Sequence, residues 1–293
     1  GPVVVDYVEL IGMDARLSRD SIGSPLNIQS VIEALKPKDN TKPPTAFDLR
    51  INTVLLRSSK VSYDVRSEPL TERFNPNHIR VSNLRADLRV PRLRNRDFIV
   101  SIKRMGLNEQ SGFRLENLTA EAHISSHELL LKGFSMALPS SNLSLDDLRL
   151  PIDGFDGIGR ALREENVALN VKDGSYLSPC DFSAFVPQLA QMRKRLELRR
   201  FNVSGNFAEA AAEVLITDGE GMRLVLEGSA SDVGNVNMRR INVPVVSLEV
   251  PGSEVARVAS FFAPVSSQVE KLAGSMGEVS IDASLDGAGS RFG

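Results

Sequence analysis

The chain has 293 residues, enough for a sizeable core in one extended domain or two compact ones, with 42% hydrophobic and 25% charged content. Its 35 basic and 37 acidic residues leave a formal charge of -2, without the basic excess that nucleic-acid binding requires. Cys180 is the single cysteine, which excludes an intrachain disulfide framework, and the absence of Trp argues against an aromatic-lined sugar or nucleobase site.

Gly1-Pro2 reads as the scar left when a purification tag is cut off, so the chain is expected to be an excised piece of a longer protein. Ser24-Pro25 opens the first predicted helix, near 24–36, with serine as cap, proline at the first helical position and Ile28, Val31, Ile32 and Leu35 on one face. Lys36 to Thr45 is proline-rich and polar, an exposed loop. Phe47-Asp48-Leu49-Arg50-Ile51-Asn52 then alternates apolar and polar side chains, the pattern of a half-buried strand. The same period of two returns at Ile79–Val81, Leu84–Leu88, Phe113–Leu115, Leu143–Leu145, Leu196–Leu198, Met222–Leu224 and Val279–Ile281. Asn75-Pro76-Asn77 and Leu138-Pro139-Ser140-Ser141 are turn-like.

The Gly-rich run Asp153 to Gly159 marks a boundary near residue 160, dividing the chain into related halves, 3–160 and 161–293, that share a sheet. A short helix is expected from Ile158 to Glu165. Ser178-Pro179-Cys180-Asp181 opens a second insert, near 178–192, ahead of Phe182, Phe185 and Leu189. Ser253-Glu254 opens a third, near 253–273, with Val255, Val258, Ala259 and Phe262, resuming through Val269 and Leu272. Each insert follows a strand-like stretch and precedes another.

A finer template, apolar-x-apolar-x-x-apolar-x-apolar with polar x positions, is expected roughly once by chance from the residue frequencies. It starts at Ile79, Phe113, Leu143 and Leu196. Its double polar step shifts the alternation by one residue, which a β-bulge or a strand corner absorbs. The fold class expected is therefore mainly β: an elongated, curved, repeat-like antiparallel sheet, a β-groove or taco-like form, with short capped α-helical inserts.

Residues able to do chemistry are few. His123 and His127 are four apart but sit in a strand–turn–strand pattern without a third ligand set, so the three histidines, with His78, read as surface residues. No Gly-x-Ser-x-Gly elbow occurs, and Cys180 inside a helix start reads as an inert thiol. Adjacent acid pairs such as Asp146-Asp147 point to opposite faces of a strand and cannot act together. The Asn-x-Ser/Thr triplets at Asn117, Asn142 and Asn202 fall inside predicted strands rather than loops. No enzyme activity, metal or cofactor is expected. Two basic clusters, Arg85 to Arg96 and Arg193 to Arg200, read as solvated polar faces; the sharper reading has Arg89, Arg92 and Arg94 meeting anionic lipid headgroups or an acidic partner.

The run Leu107-Asn-Glu109-Gln110-Ser111-Gly112-Phe113-Arg-Leu115 with Asn117-Leu118 resembles TamB-like proteins of Bacteroidetes. So does Ser178-Pro179-Cys-Asp181-Phe-Ser-Ala-Phe185-Val-Pro187-Gln-Leu189 before the strand Leu196 to Val203. Phe47 to Ile51 leading to Lys60-Val61-Ser62-Tyr63 is similar to the strand pair of the wider AsmA-like group. The resemblance implies a periplasmic protein anchored in the inner membrane by an N-terminal helix outside this sequence. In such proteins a long sheet curls into an apolar groove that carries phospholipid between inner and outer membranes. An outer-membrane barrel of the Omp85 type is the implied protein partner, in the alternative role of a scaffold for outer-membrane protein assembly. Leu49, Ile51, Ile79, Val81, Phe113, Leu115, Leu143, Leu145, Leu196 and Leu198 are the candidates for the groove's inner face. The competing reading packs these residues against the capped helices as a closed core.

Overall fold

Long stretches of alternating branched and polar side chains favour extended backbone, and the chain is mainly β. The computed structural model describes residues 3–29, 48–71, 74–94, 97–153, 158–232, 238–259, 271–272, 275, 277–288 and 291–292. The expected helix near 24–36, the loop after it and Phe47 fall largely or wholly outside these residues. So does most of the third insert beyond Ala259.

By its contacts the chain divides into two units, Gly1–Pro139 with Cys180–Ala190, and Ser140–Pro179 with Gln191–Gly293. The first break between the units falls at Pro139–Ser140. The reason is pairing: Asn142 pairs with Tyr176, and Val167–Asn170 with Asn202–Gly205, so the strands just after residue 139 find their partners further along the chain. Cys180–Ala190 joins the first unit through Phe185, whose ring centroid lies 4.7 Å from that of Phe74 and 5.3 Å from that of Phe113.

The first unit contains β1 (Val3–Val5), β2 (Val8–Ile11), β3 (Asp14–Arg19), β4 (Asp48–Val65), β5 (His78–Arg94), β6 (Asp97–Glu109), β7 (Arg114–Ser125) and β8 (Glu128–Ala137). Strands β4 to β8 form an antiparallel meander. The three short strands at the start lie in succession along the other edge of β4, all parallel to it. β4 has 18 residues; at a rise of ~3.3 Å per residue, such a strand reaches roughly 60 Å.

The second unit contains β9 (Asn142–Ser144), β10 (Leu148–Pro151), α1 (Ile158–Glu164), β11 (Val167–Asn170), β12 (Tyr176–Leu177), β13 (Leu196–Gly205), β14 (Glu209–Thr217), β15 (Arg223–Ser231), β16 (Arg240–Pro251), α2 (Gly252–Ala259), β17 (Glu278–Ala288) and β18 (Arg291–Phe292). Strands β13 to β17 form its antiparallel meander. The expected insert after Ser178 folds as two 3-10 turns, Pro179–Phe182 and Pro187–Gln191, rather than as an α-helix. Pro187 has no N–H to donate and its ring would clash one turn back, so a continuous α-helix cannot run through it.

Candidate functional site

Register partners on neighbouring strands share a face, and successive residues alternate between faces. In the first unit this assembles apolar rows that run across neighbouring strands. One row runs Val3, Leu49, Leu93, Phe98, Ile124, Leu129. A second runs Val8, Val54, Leu88, Ile102, Ala120. A third runs Leu10, Leu56, Ala86, Met105, Leu118, Met136. Between the first two lie Val100, Ala122 and Leu131. The opposite face carries rows such as Arg89, Ser101, Glu121, Lys132.

The second unit repeats the arrangement. Leu198, Ile216, Leu224, Leu248 and Ile281 form one row. Phe201, Val214, Leu226, Val246 and Ala283 form the next. Their reverse side carries Glu197, Thr217, Arg223, Glu249 and Ser280.

Burial along the first unit's apolar face is incomplete. Ala86 and Ala120 are buried, whereas the larger Leu56, Leu88, Ile102, Met105 and Leu118 around them are only half-buried. In a closed sheet sandwich the large inner-face side chains are the ones that disappear from water. The two α-helices of described extent, α1 and α2, both belong to the second unit.

Of the groove candidates, Leu49, Ile51, Ile79, Val81, Phe113 and Leu115 fall on this one face of the first unit. Ile51 pairs with Val90, Val81 with Val61, Ile79 with Tyr63, and Leu115 with Leu107. Leu115 is buried, the others half-buried. Leu143, Leu145, Leu196 and Leu198 share the apolar face of the second unit: Leu145 bridges Val171, Leu196 pairs with Leu177, and only Leu198 is fully buried. Alternation missed the segments Phe98–Ile102 and Leu129–Leu131, which supply the first unit's first two rows and the positions between them. Their runs are continuously apolar or nearly so, and no clear period of two appears in them.

The arginine candidates whose side chains are described, Arg89 and Arg92, have different surroundings. Arg89 is exposed in the polar row, while Arg92 donates from Nη1 to Asp97 Oδ2 at 2.9 Å. Arg94 stands opposite Asp97, and its side chain lies outside the described residues. His123 contacts the other oxygen of Asp97 at 2.8 Å. Partial burial works to raise the Asp97 pKa, but His123 and Arg92 outweigh it and hold the carboxyl below its usual value.

Members of the second basic cluster make contacts within the fold. Lys194 faces three acids, Arg195 stacks on the Tyr176 ring at 3.5 Å, and Arg200 pairs with Glu213 at 3.9 Å. The surface reading of the histidines fails for His78, which is 6% exposed because its ring is clamped between Asp64 and the Glu68 carbonyl. Among the described residues, no three His, Cys, Asp or Glu side chains converge as a metal site would require. Asn117, Asn142 and Asn202 all lie in strands.

No family model matches the chain, and no curated protein and no solved structure matches it.

Proposed function

We propose that this chain is a non-enzymatic segment of a periplasmic, inner-membrane-anchored protein of the TamB/AsmA-like kind, whose apolar sheet face carries phospholipid acyl chains between the two membranes. The observation that carries this reading is the set of apolar rows on half-buried strands. An acyl chain gains roughly 0.8 kcal/mol for each methylene it removes from water, so it needs a continuous apolar track rather than an isolated pocket. Rows of Leu, Ile, Met and Phe at successive strand positions supply such a track. The polar rows on the reverse keep that side wetted, and Arg89, Arg92 and Arg94 remain candidates for headgroup or partner contact.

The test is native mass spectrometry of the chain purified from bacterial cells, with lipid extraction from the same sample. Phospholipid is expected to co-purify. Ile102→Thr combined with Leu118→Thr places β-branched residues at both strand positions and adds hydroxyls to the track. That variant should retain several-fold less lipid while still unfolding cooperatively, whereas Ile11→Thr, on the opposite face and 71% exposed, should retain all of it. A lipid-free wild-type chain, or equal retention by the double variant, rejects the reading.

One observation favours a second reading, a scaffold for outer-membrane protein assembly with an Omp85-type barrel partner. Among the described residues, β17 pairs with β16 on one side and with β18 only at Gly287 and Ala288. Its outer edge is open to strand addition. Cross-linking from Ser284 to a barrel partner, without any co-purifying lipid, is the result that would favour the scaffold.

A further inference from the structure

The polar side of the first unit's sheet holds a concavity that the apolar rows do not explain. β4 slips register between Leu56 and Ser59, and β5 between Ser82 and Arg85. Within these bulges Ser58 and Asn83 adopt φ of 49° and 51°, a left-handed conformation that non-glycine residues seldom hold. Strained backbone of this kind clusters at binding sites, where the surrounding structure over-determines it. The two strained residues meet in one pocket of about 500 Å³, lined by Arg57, Ser58, Asn83, Arg85, Asn108 and Arg114. Every one of these side chains can donate a hydrogen bond, and none is a carboxylate.

Arg85 is positioned before any ligand arrives. Its register partner is Gly106, and its Nη2 donates across that glycine to the Glu116 carbonyl at 3.1 Å. A Cβ at residue 106 would stand 2.8 Å from that carbonyl oxygen and 3.0 Å from the guanidinium Nε. The missing side chain is therefore what lets the guanidinium lie over the strand. The other two arginines are steered from outside the pocket: Arg57 Nε by Glu9 at 2.6 Å, and Arg114 Nη2 by Glu116 at 3.2 Å. A guanidinium has five donors, so one such contact leaves several for a ligand. An adjoining concavity shares Arg57 and Arg85 and adds Arg104 beside Asp87.

We infer that this pocket binds a phosphate-type oxyanion, gripped by Arg85, Arg57 and Arg114 with Ser58, Asn83 and Asn108 completing its hydrogen bonds. Planar guanidinium forks match tetrahedral oxyanions in two-pronged contacts, and three around one pocket suit a doubly charged phosphoryl group better than a single carboxylate. The group is either a soluble phosphate or the headgroup of an anionic lipid. The site lies on the face opposite the apolar rows, so it stands or falls independently of the acyl-chain reading.

The test is calorimetric titration of the whole chain with inorganic phosphate at ~10 mM ionic strength, where screening is weak. A parallel arm measures co-sedimentation with phosphatidic acid vesicles and with phosphatidylcholine vesicles. Saturable phosphate binding is expected, weakened about tenfold or more by Arg85→Gln with Arg114→Gln and untouched by Lys132→Gln, exposed in the polar row of the same face. Gly106→Ala should weaken it too, because the added Cβ crowds both the Glu116 carbonyl and the Arg85 guanidinium that bonds it. Phosphatidic acid binding that inorganic phosphate competes away assigns the site to a headgroup; phosphate binding without vesicle binding assigns it to a soluble ligand. Binding of neither probe, or equal weakening by Lys132→Gln, overturns the inference.

Discussion

Lys194 has its ammonium 2.6 Å from Asp218, 2.7 Å from Glu220 and 3.7 Å from Glu254, with the Asp218 side chain only 1% exposed. Burial alone would lower the Lys194 pKa and raise that of Asp218. Asp218 and Glu220 outweigh it for the lysine, which ends above its ordinary value. Lys194 and the backbone N–H groups of Glu220 and Met222 outweigh it for Asp218, which ends below. Asp218 Oδ2 makes no other polar contact among the described residues, so removing the lysine strands a buried charge. Lys194→Met should cost about 3 kcal/mol, read as a lowered urea midpoint at unchanged slope. Asp218→Asn combined with Lys194→Met should recover part of that loss.

His78 gives the fold a pH dependence. Nδ1 meets Asp64 Oδ1 at 3.0 Å and Nε2 meets the Glu68 carbonyl at 2.9 Å; the protonated ring, with two N–H donors, satisfies both acceptors. The Asp64 hydrogen bond, then the Glu68 carbonyl, raises the His78 pKa above its ordinary 6.5. The stability it contributes is complete below that ordinary value and is lost as pH rises through the raised folded one. Asp64 moves the other way, lowered chiefly by His78 and then by Arg80, so its contribution holds above 3.8 and fades as pH falls through its depressed value. Stability followed from about pH 6 to about pH 9 should therefore decline, and His78→Gln should flatten that decline.

At the level of strands, the double polar steps in the sequence mark real breaks in register. Ser82-Asn83 lies in the slip between Ser82 and Arg85, Glu116-Asn117 in the slip between Leu115 and Leu118, and Arg199-Arg200 in the slip between Leu198 and Arg200. Asp146-Asp147 in the fourth copy separates β9 from β10, a corner rather than a bulge. These were legible because a bulge changes the phase of alternation within one strand, and no partner need be known. Asn83 tests the point: Asn83→Gly should leave stability within a few tenths of a kcal/mol, while Asn83→Val, which resists positive φ, should cost about 1–3 kcal/mol by thermal melting. The parallel placement of β1 to β3 was not legible. A parallel pair needs a long return connection, here residues 20–47, and nothing in three short apolar runs says which edge they will join.

For each unit taken whole, stability rests on the strands paired on both sides. Amide exchange should be slowest in β5 and β6 of the first unit and in β14 and β15 of the second, and fastest along the outer edge of β17, where Ile281 is 47% exposed. Uniform protection across β17 would mean that another strand covers it. The β class, the alternation of faces and the bulges were readable from the sequence, because each depends on residues within one strand. Three things were decided only by the tertiary structure: the joining of those residues into rows with Leu93, Phe98 and Met136, the unit boundary at Pro139–Ser140, and the convergence of Arg57, Arg85 and Arg114. Each depends on register between strands distant in the chain, and that register is set by the summed packing of a whole face rather than by any local pattern.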